Sequence, residues 1–154
     1  MCRVLGVLAV MALSACGDGD ATHWLSDVED LQRQVRRAVD DGDAAEAAEL
    51  LLPMAEGQGL DGAEPEERRM LRQDAYYQLA RLATGQNDAA TAKSHADAGL
   101  ALGGSDVFVA NLWVARGQAH EALGEAAEAA SDYHRALLIN ERLLDALLAA
   151  EPEN

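Results

Sequence analysis

The chain has 154 residues and a formal net charge of −15; 25% of its residues are charged, 49% hydrophobic and only 4% aromatic. That length fits one modest domain, and the charge argues against nucleic acid or an anionic membrane surface as a target, whose phosphates would repel it. Two cysteines cannot make a disulfide-dense scaffold or a four-ligand zinc site, and with so few aromatics Ala and Leu must fill the core, which suits closely packed helices better than a sheet.

The N-terminus reads as a targeting segment. Arg3 precedes an almost wholly apolar run from Val4 to Leu13, followed by the small residues Ser14-Ala15 and then Cys16. A basic start, an apolar run of this length and small residues at its end make a secretory signal peptide. The run is too short for a membrane-spanning helix, which needs about 20 apolar residues. Leu13-Ser14-Ala15-Cys16 resembles the bacterial lipobox. That resemblance implies a diacylglyceryl group on the Cys16 sulfur, cleavage between Ala15 and Cys16, and acylation of the new amino group. Several acyl chains anchor a protein far more firmly than one. Residues 1–15 are then the signal peptide and 16–23 a lipidated N-terminus and polar tether. Cys2 leaves with the signal and Cys16 becomes a thioether, so no free thiol remains. In enterobacterial lipoproteins aspartate directly after the lipidated Cys marks inner-membrane retention. Here Gly17 holds that place and Asp18 follows, which leans towards the outer membrane.

From Trp24 onward the pattern is helical. Leu25, Val28, Leu31, Val35, Ala38 and Val39 recur at intervals of three and four, and Asp40-Asp41-Gly42-Asp43 breaks that helix. A second helix runs from Ala44 to Met54, with Pro53 ending or kinking it. Gly57 to Pro65 is the longest loop. A third helix covers Glu66 to Thr84, turned by Gly85-Gln86-Asn87-Asp88, and a fourth runs from Ala89 to Leu102. Ser105 or Asp106 caps the fifth, from Val107 to Leu123. Gly124 makes the next turn, and the sixth helix begins near Ala126 and extends towards Leu148, its distal part serving as a C-terminal cap.

Six helices in three pairs pose the question of a repeat. Trp113-x2-Arg116-Gly117-x2-His120 followed by Ala129-x3-Tyr133-x2-Ala136 resembles the tetratricopeptide repeat. So do Tyr76-x2-Leu79-Ala80-x2-Ala83 with Ala92-x3-Ala96-x2-Gly99, and, more distantly, Leu31-x2-Gln34-Val35-x2-Ala38 with Ala47-x3-Leu51-x2-Met54. Ala47, Ala92 and Ala129 are spaced by 45 and 37 residues, as are Val35, Ala80 and Gly117. The excess over the family period of about 34 residues falls in the glycine-rich loops. The family's late proline is replaced by Gly59, Gly104 and Glu141. The expected fold is all-α: a short α-solenoid of about three tetratricopeptide-like helix pairs over residues 24–140, with a C-terminal capping helix and tail over 141–154.

The resemblance implies a use as well as a fold. These repeats hold protein segments along a concave face lined by the first helix of each pair. The family's groove-facing offsets fall on Glu29, Gln32 and Arg36, then Asp74, Tyr77 and Arg81, then Asn111, Val114, Gln118 and Glu121. Arg36 and Arg81 occupy equivalent offsets, so stacked side by side they would favour a carboxylate or an acidic segment. The Lys and Asn pattern of chaperone-tail-binding repeats has no match at these offsets. The numerous loop acids, such as Asp40, Asp41, Asp43 and Glu125, suit helix N-termini and would attract a basic partner.

Catalytic and metal signals are weak. His23, His95, His120 and His134 are scattered and show no helical ligand spacing. The sequence has no Gly-x-Ser-x-Gly elbow and no phosphate-binding glycine loop. The expectation is therefore no catalytic residue, no metal and no cofactor. The expected role is a lipid-anchored periplasmic adaptor for a protein partner of the bacterial envelope, of the pilus, secretin or peptidoglycan-machinery type. It would meet the membrane only through its lipid and bind no nucleic acid. The alternative is a structural lipoprotein that self-associates through Leu143 to Leu148 as a homo-oligomer. An enzyme or small-ligand binder ranks last.

Overall fold

In a computed structural model, the described residues are 23–150. The expected signal peptide with Ala15, the expected lipidation site Cys16, most of the expected tether and the last four residues lie outside them. Six helices follow one another: α1 (His23–Asp40), α2 (Ala44–Ala55), α3 (Pro65–Gly85), α4 (Ala89–Leu100), α5 (Val107–Ala122) and α6 (Ala126–Ala150). Among the described residues no strand occurs.

Each helix pair closes through the same turn. Gly42 (φ 80°), Asn87 (φ 60°) and Gly124 (φ 79°) occupy equivalent places and adopt the left-handed conformation. The next residue's N–H then reaches back to a carbonyl of the preceding helix: Asp43 to Ala38 at 2.8 Å, Asp88 to Ala83 at 2.9 Å, Glu125 to His120 at 2.8 Å. This is how a helix end satisfies its orphan carbonyls. In the first two turns the same residue caps the following helix, Asp43 accepting from the Glu46 N–H and Asp88 from the Thr91 N–H. The turn recurs at the spacings of 45 and 37 residues found in the sequence.

Small residues set the distance between helices. Ala47, Ala92 and Ala129 are buried at the seams. At Gly117 a Cβ would stand 2.6 Å from the Tyr133 ring, and at Gly99 it would stand 2.7 Å from a Leu112 methyl. α3 packs directly on both α4 and α5, and no comparable contact joins α4 to α6. The odd helices thus form the inner layer of a short α-solenoid and the even helices the outer one. α1 departs from this order: it packs on α2 and makes no such contact with α3.

The helix ends differ from expectation in a few places, each for a visible reason. α2 continues past Pro53 to Ala55 because the proline sits in the last turn, where it costs one internal hydrogen bond. α3 begins at Pro65, where a missing N–H is harmless, and the Glu64 N–H donates to Glu67. Asp106, not Ser105, caps α5, accepting from the Phe108 and Val109 N–H groups. Residues 141–150 continue α6 with no break, since no Gly or Pro interrupts it, so the C-terminal cap is the distal part of that helix. The long loop after α2 is tied down. Leu60 and Ala63 are buried, Arg68 donates to the Leu60 and Ala63 carbonyls, and Arg72 donates to the Ala55 carbonyl at the end of α2.

Candidate functional site

Nine of the ten residues at the groove-facing offsets lie on the inner helices in three rows, and Glu121 follows one turn beyond the third row on α5. The first row is Glu29, Asp74 and Asn111; the second is Gln32, Tyr77 and Val114; the third is Arg36, Arg81 and Gln118. First and third rows are seven residues apart, about 10 Å along a helix. The first row carries carboxylates and the third carries guanidinium groups, so charge is segregated across the groove.

Contacts join some of these residues. Gln78 Nε2 on α3 donates to Asp74 Oδ2 at 2.6 Å and lies 3.5 Å from Gln32 Oε1 on α1. Burial pushes the Asp74 carboxyl above the usual aspartate range, and the bonds from Gln78 and Gln32 oppose that only in part. The Arg81 guanidinium sits 5.7 Å from the Tyr77 ring centre. Among the described residues, no carboxylate lies within salt-bridge distance of Arg36 or Arg81.

One expectation is corrected. Tyr77 is not purely a groove residue: it is half-buried and packs on the Ala80, Ala96 and Ala115 cluster at the α3–α4–α5 seam. Glu29, Arg36, Gln118 and Glu121 are exposed, while Asn111 and Val114 are half-buried. Glu121 accepts a 2.5 Å hydrogen bond from Tyr133 Oη on α6; burial and this carboxylate push the phenol up to about 12.

A second cluster was not foreseen. Arg116 on α5 bonds both oxygens of Asp132 on α6, at 2.7 and 2.8 Å, and Asp97 on α4 at 2.7 Å. Its guanidinium lies 4.4 Å from the Trp113 ring centre, and that of Arg135 lies 4.5 Å from it. His120 Nδ1 is 2.5 Å from Glu125 and its Nε2 is 3.7 Å from Asp132. A surface pit of about 370 Å³ opens here, lined by Arg116, His120, Glu128, Ser131, Asp132 and Arg135 among others. Arg116 is already satisfied by two carboxylates, so this cluster binds helices to one another. Its sequence signal was Arg116 at a repeat position that the family fills with Leu. Arg69 does the same at the other end. It bonds Glu66, Gln73, Asp106 and the Gly103 carbonyl, tying α3 to the α4–α5 turn.

Among the described residues no group of three or more His, Cys, Asp or Glu side chains could hold a metal ion, and no helix is long and apolar enough to cross a membrane. Comparison with protein-family models returns no match, and comparison with curated proteins returns none.

Proposed function

We propose that the chain is a lipid-anchored adaptor of the tetratricopeptide type. In this reading Cys16 carries the anchor at the periplasmic face of an envelope membrane, the outer one favoured. The solenoid holds a segment of an envelope protein, of the pilus, secretin or peptidoglycan-machinery type, on its inner face. The observation that carries the reading is the recurrence of one turn and one small-residue seam in three pairs, with polar, charge-segregated rows on the inner helices. Repeats of this kind present extended concave binding surfaces. The reading assigns the chain no catalysis; the Arg116, His120 and Asp132 side chains that line the pit between α5 and α6 are paired with one another.

Photo-crosslinking in cells tests it. A photoreactive residue at Arg81 or Gln118 on the inner face should capture a distinct protein, and one at Ser94 or Glu128 on the outer helices should not. Capture only from the outer positions would overturn the groove reading. For the anchor, Cys16→Ser should abolish fatty-acid labelling and membrane retention; equal labelling of variant and parent would refute it.

A second reading is favoured by one observation. Leu137, Leu144, Leu147 and Leu148 on α6 are 54–68% exposed, an apolar stretch of the kind that marks interaction sites. Self-association through this end of the solenoid would give a concentration-dependent sedimentation coefficient without any partner. Leu144→Glu with Leu148→Glu would abolish it.

A further inference from the structure

α6 is out of proportion to the other outer helices. It has 25 residues, where α2 and α4 have 12 each. Leu143 is the last of its side chains to pack on the Val109, Ala110 and Ile139 cluster, and residues 144–150 are all exposed. Most helical stability in proteins comes from packing an amphipathic face, and this stretch buries none among the described residues. Its exposed side chains are nevertheless ordered by position. Ala130, Tyr133, Leu137, Asn140, Leu144 and Leu147 follow one another at alternating steps of three and four, the a and d places of a coiled-coil heptad. None of the six is charged, in a chain of net charge −15, and Leu137, Leu144 and Leu147 are 54–68% exposed.

The repeat itself shows what such a position does. Leu137 stands 37 residues after Leu100, the spacing of the second and third pairs. Leu100 meets the next helix pair, packing on Val109, Ala110 and Ile139. No further pair follows Leu137, so its place is bare. The opposite end of the solenoid cannot fill it in a second copy, because α1 exposes Asp27, Asp30, Arg33, Gln34 and Arg37. Apolar surface on one end and charge on the other disfavour head-to-tail stacking and favour a closed, two-fold contact of like ends. Asn140 sets the direction. Its amide carries both donors and an acceptor. Parallel helices in register place it opposite its own copy, where each amide bonds the other. Antiparallel helices would set it against a leucine.

We propose that α6 pairs with α6 of a second copy, parallel and in register, through the stripe from Leu137 to Leu147, with Asn140 opposite Asn140 on the two-fold axis. This rests on the self-association reading above and adds the seam, its direction and the residue that fixes its register.

The test is disulfide trapping of the full chain in native membranes under mild oxidation, with the parent as baseline. A disulfide needs Cα atoms within about 7 Å of each other. Leu137→Cys, Asn140→Cys and Leu144→Cys should each give disulfide-linked dimers, because in a parallel pair every seam residue meets its own copy. Arg135→Cys and Arg142→Cys, on the opposite side of the helix, should give none above the parent. Asn140→Leu should move dimer formation to lower concentration, since a polar seam residue specifies register at a cost in stability. Leu137 and Leu144 lie about 10 Å apart along the helix, so a dimer from only one of the two would make the pair antiparallel. That result would overturn the seam and leave self-association standing. Trapping at none of the three, with a sedimentation coefficient independent of concentration, would remove self-association as well. A photoreactive residue at Leu144 that captured another protein in place of a copy would give the stripe to a foreign helix and overturn the pairing.

Discussion

The two ends of the solenoid solve the same packing problem differently. At the α4–α5–α6 end, Arg116 threads between Asp97 and Asp132 beneath Trp113, and Gly117 lets α6 approach so closely that Tyr133 fills the space of a side chain. At the α1–α3 end, an apolar cluster from Val28 to Leu79 and the tethered loop around Leu60 hold the helices together, and the Asp74 carboxylate is left without a cation. The sealed end shows charges used as mortar. The other end shows a charge that burial disfavours and no cation offsets.

The largest expected effect breaks the sealed end. Arg116→Met strands Asp132, whose side chain is only 4% exposed, and should lower stability by about 3 kcal/mol in urea unfolding. Adding Asp132→Leu should recover most of the loss, because the penalty is an uncompensated charge rather than lost packing. A double variant no better than the single one would place the cost elsewhere. Next come Gly117→Leu and Ala129→Leu, which overpack the seam and should each cost roughly 1–3 kcal/mol in thermal unfolding. Smaller still is Gly124→Ala. It forces a Cβ onto a left-handed turn residue (φ 79°) with open space around it, so backbone strain alone should cost about 1 kcal/mol.

Acid should separate the two ends by sign. At Asp97, burial works against ionisation but the bonds from Arg116 and Lys93 outweigh it, so its folded pKa lies below the ordinary aspartate value. Its stabilising contribution is present above the unfolded pKa and fades as pH falls through the folded one. At Asp74 the folded pKa is raised, chiefly by burial. Its penalty holds when it is ionised and is relieved as pH falls. Relative to the parent, Asp97→Asn should therefore lose stability at neutral pH and flatten the acid limb. Asp74→Asn should gain slightly at neutral pH and steepen that limb. Melting temperatures measured from pH 7 down to pH 3 check both; the same sign for the two variants would contradict the account.

Much of the fold was legible because glycine and aspartate punctuate it. Gly42, Asn87-Asp88 and Gly124 announce turns by backbone chemistry alone, and the alanine seam fixes the repeat spacing. The C-terminal turn of α2 and the start of α3 were less legible, because proline at either end of a helix reads the same way in sequence. The candidate site was legible as a face but not as contacts. That Tyr77 packs on the Ala80, Ala96 and Ala115 cluster and that Arg116 finds two carboxylates on neighbouring helices both depend on distances between pairs. Periodicity within a helix does not carry that information.

The central claim is that partner binding lives on the inner helices, and Arg36 and Arg81 test it with least disturbance to the fold. Both are exposed and outside any ion pair among the described residues, so Arg36→Ala with Arg81→Ala should change stability by no more than about 0.5 kcal/mol. Tyr77 is best left in place, since it also packs the seam. The decisive measurement is the affinity of the crosslinked partner for this double variant and for the parent, at matched melting temperature. The account predicts a loss of about 2 kcal/mol, roughly thirtyfold in Kd. Equal affinity would contradict it and turn attention to the exposed leucines of α6.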